Sequence, residues 1–407
     1  YTANAPQGFK YKLKRTVKKI VQPFRISEKD KGKLLYNKFL SMPVNDKFIF
    51  YEAFAGLGIL DNPRAIFKYL LNQEDFKSYT HIWSVENPEL AADNISEFSS
   101  LDNVIIVKRE SEDYYKYLAT SKYLINNSTF GYYFEKRNSQ IYINTWHGGG
   151  AYKRVGAAYQ KETPGKQIRA EIAREVPCTY VSSSNAFTEL TIHQSFHHDG
   201  TILSCGMPRN DMLFNNDHPE LHDKIRAYYH LPSEAKILLY APTYRESKAA
   251  SDYLFDCKAI QSALSEKFGG NWFILFRTHY FVMNQLNNAA NYIDASNYPD
   301  MQELLYAADV LITDYSSSMW DFSLTRRPCF LYATDLNYYD LDRGFYSDIH
   351  TWPYPLAESN SALIKNIKQF NNDQYQKNIQ KHWDALGSYE SGHACETVAN
   401  YILTSNT

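Results

Sequence analysis

The sequence of 407 residues predicts an α/β protein with two Rossmann-like domains that face each other across a cleft. Three observations support this prediction. The chain is too long for one ordinary hydrophobic core and suits two domains of about 150–200 residues each. Short apolar runs of strand length alternate with helical patterns. This alternation occurs once in each half of the chain, which is typical of two successive parallel sheets.

Six apolar runs in the first half have the length and composition of buried strands. They cover residues 47–54, 81–85, 104–107, 123–126, 141–145 and 179–182, and helical patterns at 62–72 and 113–118 lie between some of them. Six more runs follow at 202–204, 236–240, 272–277, 292–294, 310–313 and 329–333. From residue 359 onward the pattern is helical, over 364–370, 373–386 and 395–403. We therefore expect two strand–helix series followed by a helical end.

The alternation of strand-like and helical patterns is interrupted at residues 193–200, and this interruption sets the predicted domain boundary. We expect a basic amphipathic segment at 1–40, an N-terminal Rossmann-like domain at 41–195 and a C-terminal Rossmann-like domain at 196–386. Residues 387–407 are expected to form a helix that packs back on the first domain.

Composition and charge argue against several classes of protein. The formal charge of −2 is not that of a nucleic-acid binder. No run approaches the roughly 20 apolar residues of a transmembrane helix. The five cysteines are scattered and form no CxxC pair, which argues against a disulfide framework or a zinc site and favours a reducing, cytoplasmic compartment.

The segment from residue 9 to residue 25 has a different charge from the rest of the chain. It contains no acidic residue and seven cations: Lys10, Lys12, Lys14, Arg15, Lys18, Lys19 and Arg25. Apolar residues interleave with them at near-helical spacing. Such a segment is suited to lie on an anionic membrane surface, and the alternative is a solvated terminal helix or arm.

Residues that follow strands are the first place to look for a site, because ligands of open α/β sheets bind beyond the carboxyl ends of the strands. The segment 145–154 follows one such strand and holds three consecutive glycines, whose N–H groups can approach a phosphate. His147 at its head is a candidate general base. A loop histidine beside glycines is also often structural, but Lys153 and Arg154 favour an anion site.

Four further strand ends carry polar groups. Thr243 and Arg245 can bind phosphate or form an ordinary turn, and Arg209 is a weaker candidate of the same kind. Arg277 and His279 are two residues apart, so both point the same way in an extended segment. Ser316 and Ser317 open a helix after a buried strand, where they can bind an anion or serve as plain N-caps.

Together these motifs resemble the CDP-glycerol glycerophosphotransferase family, which includes the polymerases and primases of wall teichoic acid and related capsule enzymes. The matching segments are DNPR at 61–64, INNS at 125–128, TWHG at 145–148, GMPRND at 206–211, YAPTYR at 240–245, RTH at 277–279, ITDYSS at 312–317 and Asp335 with RGFY at 343–346. The resemblance covers residues of about 50–402. It implies a GT-B fold, with the donor held mainly by the second domain and the acceptor approaching the first.

The resemblance also implies the chemistry. An acceptor hydroxyl attacks the phosphorus nearest the polyol of CDP-glycerol or CDP-ribitol, and CMP leaves. His147 and His279 are the implied catalytic residues, with His147 as the base and His279 beside the pyrophosphate. The implied donor-binding residues are Trp146, Gly148, Arg209, Thr243, Arg245, Arg277, Thr278, Ser316, Ser317 and Asp321. No dedicated metal-ligand cluster and no protein-bound cofactor are expected, and free Mg²⁺ can assist the pyrophosphate.

The expected partners are the CDP-polyol donor, a lipid-linked polymer acceptor and an anionic membrane surface, with no nucleic acid and with a homo-oligomer left open. The expected location is the cytoplasmic face of a bacterial cell membrane, as a peripheral protein. Two segments depart from the family pattern. Gly149 and Gly150 stand where Thr-Pro is common, and 352–355 replaces a Pro-Gly-Pro-like turn. Two alternatives stay open: a GT-B glycosyltransferase using a nucleotide sugar, and a non-catalytic membrane scaffold.

Overall fold

A computed structural model describes residues 28–89, 91–159, 176–214, 218–243, 255–278 and 292–405. Three features predicted from the sequence lie outside these ranges: the basic segment at 9–25, Arg245 and His279.

The first domain is a parallel sheet of seven strands in the order β3-β2-β1-β4-β5-β6-β7. The strands are β1 (Asn45–Glu52), β2 (Thr80–Val85), β3 (Val104–Lys108), β4 (Ser121–Asn126), β5 (Ile141–Asn144), β6 (Thr179–Ser182) and β7 (Ile202–Ser204). Its helices are α1 (Glu28–Phe39), α2 (Asp61–Leu71), α3 (Ala92–Ile95), α4 (Glu112–Thr120) and α5 (Gln194–Phe196), the last preceded by a π-helical stretch at Phe187–His193. Short 3₁₀ turns lie at Glu74–Phe76 and Gly156–Ala158.

The second domain is a parallel sheet of six strands in the order β10-β9-β8-β11-β12-β13. The strands are β8 (Lys236–Tyr240), β9 (Trp272–Phe276), β10 (Ile293–Asp294), β11 (Val310–Thr313), β12 (Cys329–Tyr332) and β13 (Leu356–Ala357). The helices are α6 (Asp211–Phe214), α7 (Pro219–Tyr228), α8 (Cys257–Phe268), α9 (Met301–Ala307), α10 (Ser318–Ser323), α11 (Leu336–Asp342), α12 (Asn360–Lys368) and α13 (Asn372–Leu386), and α14 (Ala394–Thr404) follows the second domain. Two 3₁₀ turns, Pro208–Asn210 and Ile349–Thr351, complete it.

Strand β1 shows why the sheet of the first domain is covered on both faces. Ile49 and Tyr51 pack into the core under α2, while Phe50 between them packs into the core under α4. Alternate residues of a strand point to opposite faces, so a strand buried on both sides is a continuous apolar run. The same property made the twelve predicted runs visible in the sequence. All twelve form strands, and within the described ranges the one strand that was not predicted is β13, which has two residues.

The predicted boundary between residues 195 and 196 is too early. Strand β7 pairs with β6, with Tyr180 opposite Ile202, so it belongs to the first sheet. The break seen in the sequence is a helix end, since His197 adopts the left-handed conformation at φ 53° and ends α5. The first sheet therefore extends to Ser204, and the second domain begins after it.

The chain returns to the first domain after α13. The carbonyl of Gly387 accepts a hydrogen bond from the Asn185 N–H at 2.8 Å, and α14 then packs against α2 through Val398 and Ile402. Among the helices in the described ranges, none has both the length and the apolar character needed to cross a membrane.

Candidate active site between the two domains

A cavity of about 250 Å³ lies where the two domains meet. One wall is the segment after β5, including Trp146, His147 and Lys153. The other wall comes from the second domain, with Tyr315 and Ser317 after β11 and Arg343 after α11. Carboxyl ends of strands from both sheets therefore supply the lining, as expected for a ligand site in open α/β sheets.

His147 is held in one orientation at this cavity. Its Nδ1 lies 2.7 Å from the main-chain carbonyl of Asn127. A carbonyl only accepts, so Nδ1 carries the proton and Nε2 keeps its lone pair. The ring stacks on Trp146 at 4.3 Å between centroids and contacts Phe54 at 5.4 Å. Burial lowers the pKa of His147, which keeps the ring neutral and suited to accept a proton.

The backbone around His147 is fixed by polar contacts. Trp146 has a positive φ of 50°, a conformation that non-glycine residues seldom adopt without support. Its N–H donates to Asn144 Oδ1 at 2.8 Å, and its carbonyl accepts from Asn62 Nδ2 at 3.2 Å. Two buried side chains therefore hold the turn that presents the histidine.

Gly149 allows the turn to reach the second domain. A Cβ atom at Gly149 would lie 2.7 Å from Trp320 Cδ1, whereas one at Gly148 would meet no atom closer than 3.7 Å. Contacts below 3 Å are far inside van der Waals range. The departure from the family pattern at this position therefore has a physical reason, because the backbone passes directly over Trp320.

The segment then joins the second domain by its main chain and one side chain. Tyr152 is buried in the core of the second domain, where its hydroxyl lies 2.9 Å from His382 Nε2 and 3.2 Å from the Tyr354 hydroxyl. Lys153 forms an antiparallel bridge with Phe345. Two sequence motifs almost two hundred residues apart are thus paired beside the cavity.

Arg209 lies behind the cavity in a buried polar network. Its Nε donates to Asp321 at 3.0 Å, and one terminal nitrogen donates to Asp61 at 3.0 Å and to the His147 carbonyl at 3.1 Å. Burial alone would lower the pKa of Arg209, but the two carboxylates outweigh it and raise the pKa above its usual range. Arg209 therefore links Asp61 of the first domain with Asp321 of the second by charged hydrogen bonds.

Arg209 and Asp321 were predicted to bind the donor, which stays a prediction, and neither lines the cavity beside His147. Their side chains are only 5% and 4% exposed and are bonded to each other. The Asp321 carboxylate also accepts hydrogen bonds from the side-chain amides of Asn210 and Gln302, at 3.0 Å each. The pair therefore supports the cavity wall rather than lining the cavity.

The serine motif after β11 consists of Ser316 and Ser317, and the two side chains make different contacts. Ser316 Oγ accepts from the Ser318 N–H at 3.3 Å and lies 3.0 Å from Ser318 Oγ, so it caps the turn. Ser317 lines the cavity with His147. Asp314 Oδ1 accepts from the Thr243 N–H at 2.8 Å, which fixes the neighbouring strand end.

Arg277 follows β9 and is half-buried. One terminal nitrogen donates to the carbonyls of Ala295 at 3.2 Å and Tyr298 at 2.5 Å. Burial lowers the pKa of Arg277. The next residue, Thr278, has a buried hydroxyl without a hydrogen-bond partner among the described residues. The predicted convergence of Arg277 with His279 stays a prediction.

Three residues of the site did not emerge from the sequence. Asn127 and Asn62 lie in quoted motifs but were given no role. Glu390 had no sequence signal; its carboxylate accepts from Trp320 Nε1 at 2.8 Å and from the Met207 N–H at 3.1 Å. In the part of the chain that the structure describes, no group of three or more His, Cys, Asp or Glu side chains is arranged to hold a metal.

The model of the CDP-Glycerol:Poly(glycerophosphate) glycerophosphotransferase family matches residues 34–404. The chain belongs to this family. The predicted family is thereby confirmed, and three of its motifs, at 145–148, 312–317 and 343–346, supply residues that line the interdomain cavity.

Individual proteins named as teichoic acid polymerases are similar to the chain over most of its length. The chain is 34% identical to a teichoic acid poly(glycerol phosphate) polymerase of Staphylococcus epidermidis, over 96% of this chain but 55% of that protein. It is 31% identical to a polymerase of the same name from Bacillus spizizenii, over 89% of this chain and 93% of that protein. The chain thus spans about half the length of the first relative and nearly all of the second.

Solved structures give the same result for the fold. The wall teichoic acid polymerase TagF superimposes with a TM-score of 0.79 at 30% identity, covering 99% of this chain and 98% of that chain. A Staphylococcus aureus MnaA–UDP structure shares the fold alone, at 13% identity and a TM-score of 0.51, over 88% of this chain and 97% of that chain. The predicted GT-B fold is confirmed.

Proposed function

We propose that this chain transfers a polyol phosphate from a CDP-activated polyol to a hydroxyl of a lipid-linked teichoic-acid-type acceptor and releases CMP. The observation that carries the proposal is the oriented His147, which faces a cavity whose other wall is the serine motif of the second domain. Family membership and the names of the relatives support the same reaction class.

In the proposed step, the acceptor oxygen attacks the phosphorus that bears the polyol. A new P–O bond forms, the bond from that phosphorus to the bridging oxygen of the pyrophosphate breaks, and the electron pair leaves on CMP. The acceptor proton passes to Nε2 of His147, which is the free acceptor of the ring. Positioning and charge neutralisation supply most of the acceleration in phosphoryl transfer.

The remaining roles concern the donor. Arg277, His279, Arg245 and the serine motif are proposed to neutralise the pyrophosphate, and Trp146, Gly148, Thr243 and Thr278 are proposed to line its site. Any Mg²⁺ would arrive with the pyrophosphate rather than in a protein-built site. Arg209 and Asp321, which bond each other, are proposed to hold the wall of the cavity in place.

Glycerol is the polyol that the comparisons favour. The relatives of 34% and 31% identity are named for poly(glycerol phosphate), whereas a ribitol-phosphate polymerase of Bacillus spizizenii is 26% identical. A TagF variant soaked with CDPG is among the similar structures. CDP-glycerol is therefore the first donor to test and CDP-ribitol the second.

A donor panel tests the proposal. The protein is incubated with an acceptor and with CDP-glycerol, CDP-ribitol or UDP-sugars in turn, while nucleotide release and product mass are followed. We expect CMP release and a mass gain of one or more polyol phosphates. Release of UDP alone would indicate the glycosyltransferase alternative, and no release from any donor would favour the scaffold alternative.

We also propose that the chain works at the cytoplasmic face of the membrane, bound through the cations between Lys10 and Arg25. Removing the residues before Ile26 should abolish sedimentation with anionic vesicles and leave transfer to a soluble acceptor analogue intact. Unchanged sedimentation would show that another surface binds the membrane. Assembly with further copies of the chain stays a prediction.

A further inference from the structure

The first turn of α2 carries a family motif, DNPR at 61–64, that the proposed reaction does not use. Its first two residues hold the histidine turn: Asp61 pairs with Arg209, and Asn62 bonds the Trp146 carbonyl. Asn62 Oδ1 also accepts from the Arg209 N–H at 3.0 Å. This turn of helix is therefore part of the support of the base.

The last residue of the motif, Arg64, crosses to the second domain. Its guanidinium is hydrogen-bonded to Asp300 and lies 3.9 Å from Glu303 at the start of α9. The side chains of Arg64, Asp300 and Glu303 are 13%, 14% and 6% exposed. Ion pairs sheltered to this degree are screened less by solvent and salt than exposed ones.

The segment that receives Arg64 also holds Arg277. The carbonyls of Ala295 and Tyr298 accept from the Arg277 guanidinium, and Asp300 follows two residues later. The Asp300 carboxylate caps α9 through the Gln302 N–H at 2.8 Å. Its negative charge offsets part of the effect of burial on the pKa of Arg277, so the two side chains interact electrostatically.

Asp300 is therefore bonded to an arginine of the first domain and acts electrostatically on an arginine of its own domain. If Arg64 did not neutralise it, the carboxylate would attract Arg277 and repel the pyrophosphate of a bound donor. Glu303 is satisfied separately, because Lys224 at 2.6 Å and the Tyr298 hydroxyl at 2.5 Å both bond it. Asp300 therefore depends more than Glu303 on Arg64 for neutralisation of its charge.

We propose that Arg64 is a positioning residue: by neutralising Asp300 across the domain interface it keeps Arg277 available to the donor pyrophosphate. This inference rests on the proposed function, since it assigns Arg277 to a CDP-polyol. It couples the domain that carries the base to the donor site through one ion pair.

Lys68 provides a matched control. It lies one turn further along α2 and, like Arg64, pairs with Glu97, at 3.5 Å, without reaching Asp300. We expect Arg64→Ala to weaken CDP-glycerol binding about tenfold by calorimetry, and to raise KM more than it lowers kcat. Lys68→Ala should stay within about twofold of the wild type.

The Asp300→Asn substitution separates charge neutralisation from a mechanical link. Asparagine keeps the oxygen that caps α9, so the helix start is preserved. We expect Asp300→Asn alone to bind the donor nearly as well as the wild type, and to restore most of the affinity lost in Arg64→Ala. A purely mechanical pair predicts the opposite, because either substitution would break it and the double variant would be no better.

Hydrogen exchange of amides 295–303 in the donor-free protein gives a second measurement. Arg64→Ala should exchange faster there than Lys68→Ala, whatever the donor proves to be. If the wild type binds neither CDP-glycerol nor CDP-ribitol, the proposed function fails and this exchange comparison still judges the link. If the wild type binds either donor and Arg64→Ala matches Lys68→Ala in both measurements, the inference is overturned.

Discussion

The chemistry available to His147 is set by its Nδ1 contact. The Asn127 carbonyl fixes the tautomer, and the packing of Trp146 and Phe54 fixes the ring. A histidine of the same sequence neighbourhood without that carbonyl could present either nitrogen to the cavity. The Nε2 lone pair follows from tertiary contacts between β4 and β5 and not from the residue type alone.

Replacing His147 by Gln should reduce turnover about 10²–10⁴-fold, since a positioned base contributes that much. In the wild type, burial lowers the pKa of His147, so the base protonates only below the ordinary histidine range. The acid limb of the kcat/KM profile, which reports the free enzyme, should therefore lie below pH 6.5 and vanish in the variant. An acid limb above that value, or an unchanged rate in His147→Gln, would remove the assigned role.

Gly149→Ala tests the close approach to Trp320. The added methyl would meet Trp320 at 2.7 Å, and overpacking of this kind costs about 1–3 kcal/mol. Gly148→Ala is the control, because its methyl would meet only an ordinary contact at 3.7 Å and should change stability by less than about 0.5 kcal/mol. Urea unfolding of both variants measures the difference; equal midpoints would contradict the assigned packing.

At the scale of elements, the segment from β5 to Tyr152 belongs to both domains. It leaves the first sheet, carries the candidate base and ends with a tyrosine in the core of the second domain. Burial lowers the pKa of His382 to about 4, so its neutral ring can accept the hydrogen bond of the Tyr152 hydroxyl. The element that presents the base is thereby anchored at both ends.

Tyr152→Phe should lower the free energy of unfolding by about 1–2 kcal/mol, because His382 and Tyr354 each lose a partner for a buried polar group. Tyr152→Ala removes the ring as well and should cost about 3–5 kcal/mol. The control is Tyr338→Ala, since Tyr338 is 58% exposed. Chemical denaturation would show the order; a Tyr152→Ala variant as stable as the control would refute the anchoring role.

At the scale of the whole molecule, two buried polar groups join the domains. Arg209 connects Asp61 of the first domain with Asp321 of the second. Glu390 accepts from Trp320 of the second domain, and the adjacent Tyr389 N–H donates to the Ser183 carbonyl of the first domain at 2.9 Å. Burial raises the pKa of Glu390 to about 8 from its ordinary value of 4.5. The contact through which Glu390 joins the domains therefore depends on whether its carboxyl group is protonated.

The pH dependence of stability tests this link. Because the folded state binds the proton of Glu390 more tightly, its contribution to stability is complete below pH 4.5 and is lost as pH rises through 8. Glu390→Gln cannot titrate, so its stability relative to the wild type should improve from about pH 5 to about pH 8 and then level off. Glu396→Gln, at a side chain 55% exposed, is the control. Parallel curves for wild type and Glu390→Gln would contradict the raised pKa.

The sequence alone determined the two sheets and the strand ends that meet at the cavity. Buried parallel strands are continuous apolar runs, so each appears without knowledge of its partners. The exceptions have the same cause: β13 has two residues, and β7 has three and was assigned to the wrong sheet. Strands of two or three residues leave little apolar pattern, although β10, with two residues, was predicted and joins the expected sheet.

The roles within the site were determined only in part. His147 and Ser317 were identified because each follows a strand, and the structure brings them to one cavity. Arg209 was identified by the same rule and Asp321 by the family resemblance, and the structure shows that the two bond each other behind the cavity. Only the tertiary structure could decide this, because whether an arginine meets a ligand or a buried carboxylate depends on how two separately folded sheets are placed against each other. That placement is set by contacts such as Tyr152 in the second core and Arg64 on Asp300, which join residues about 200 positions or more apart.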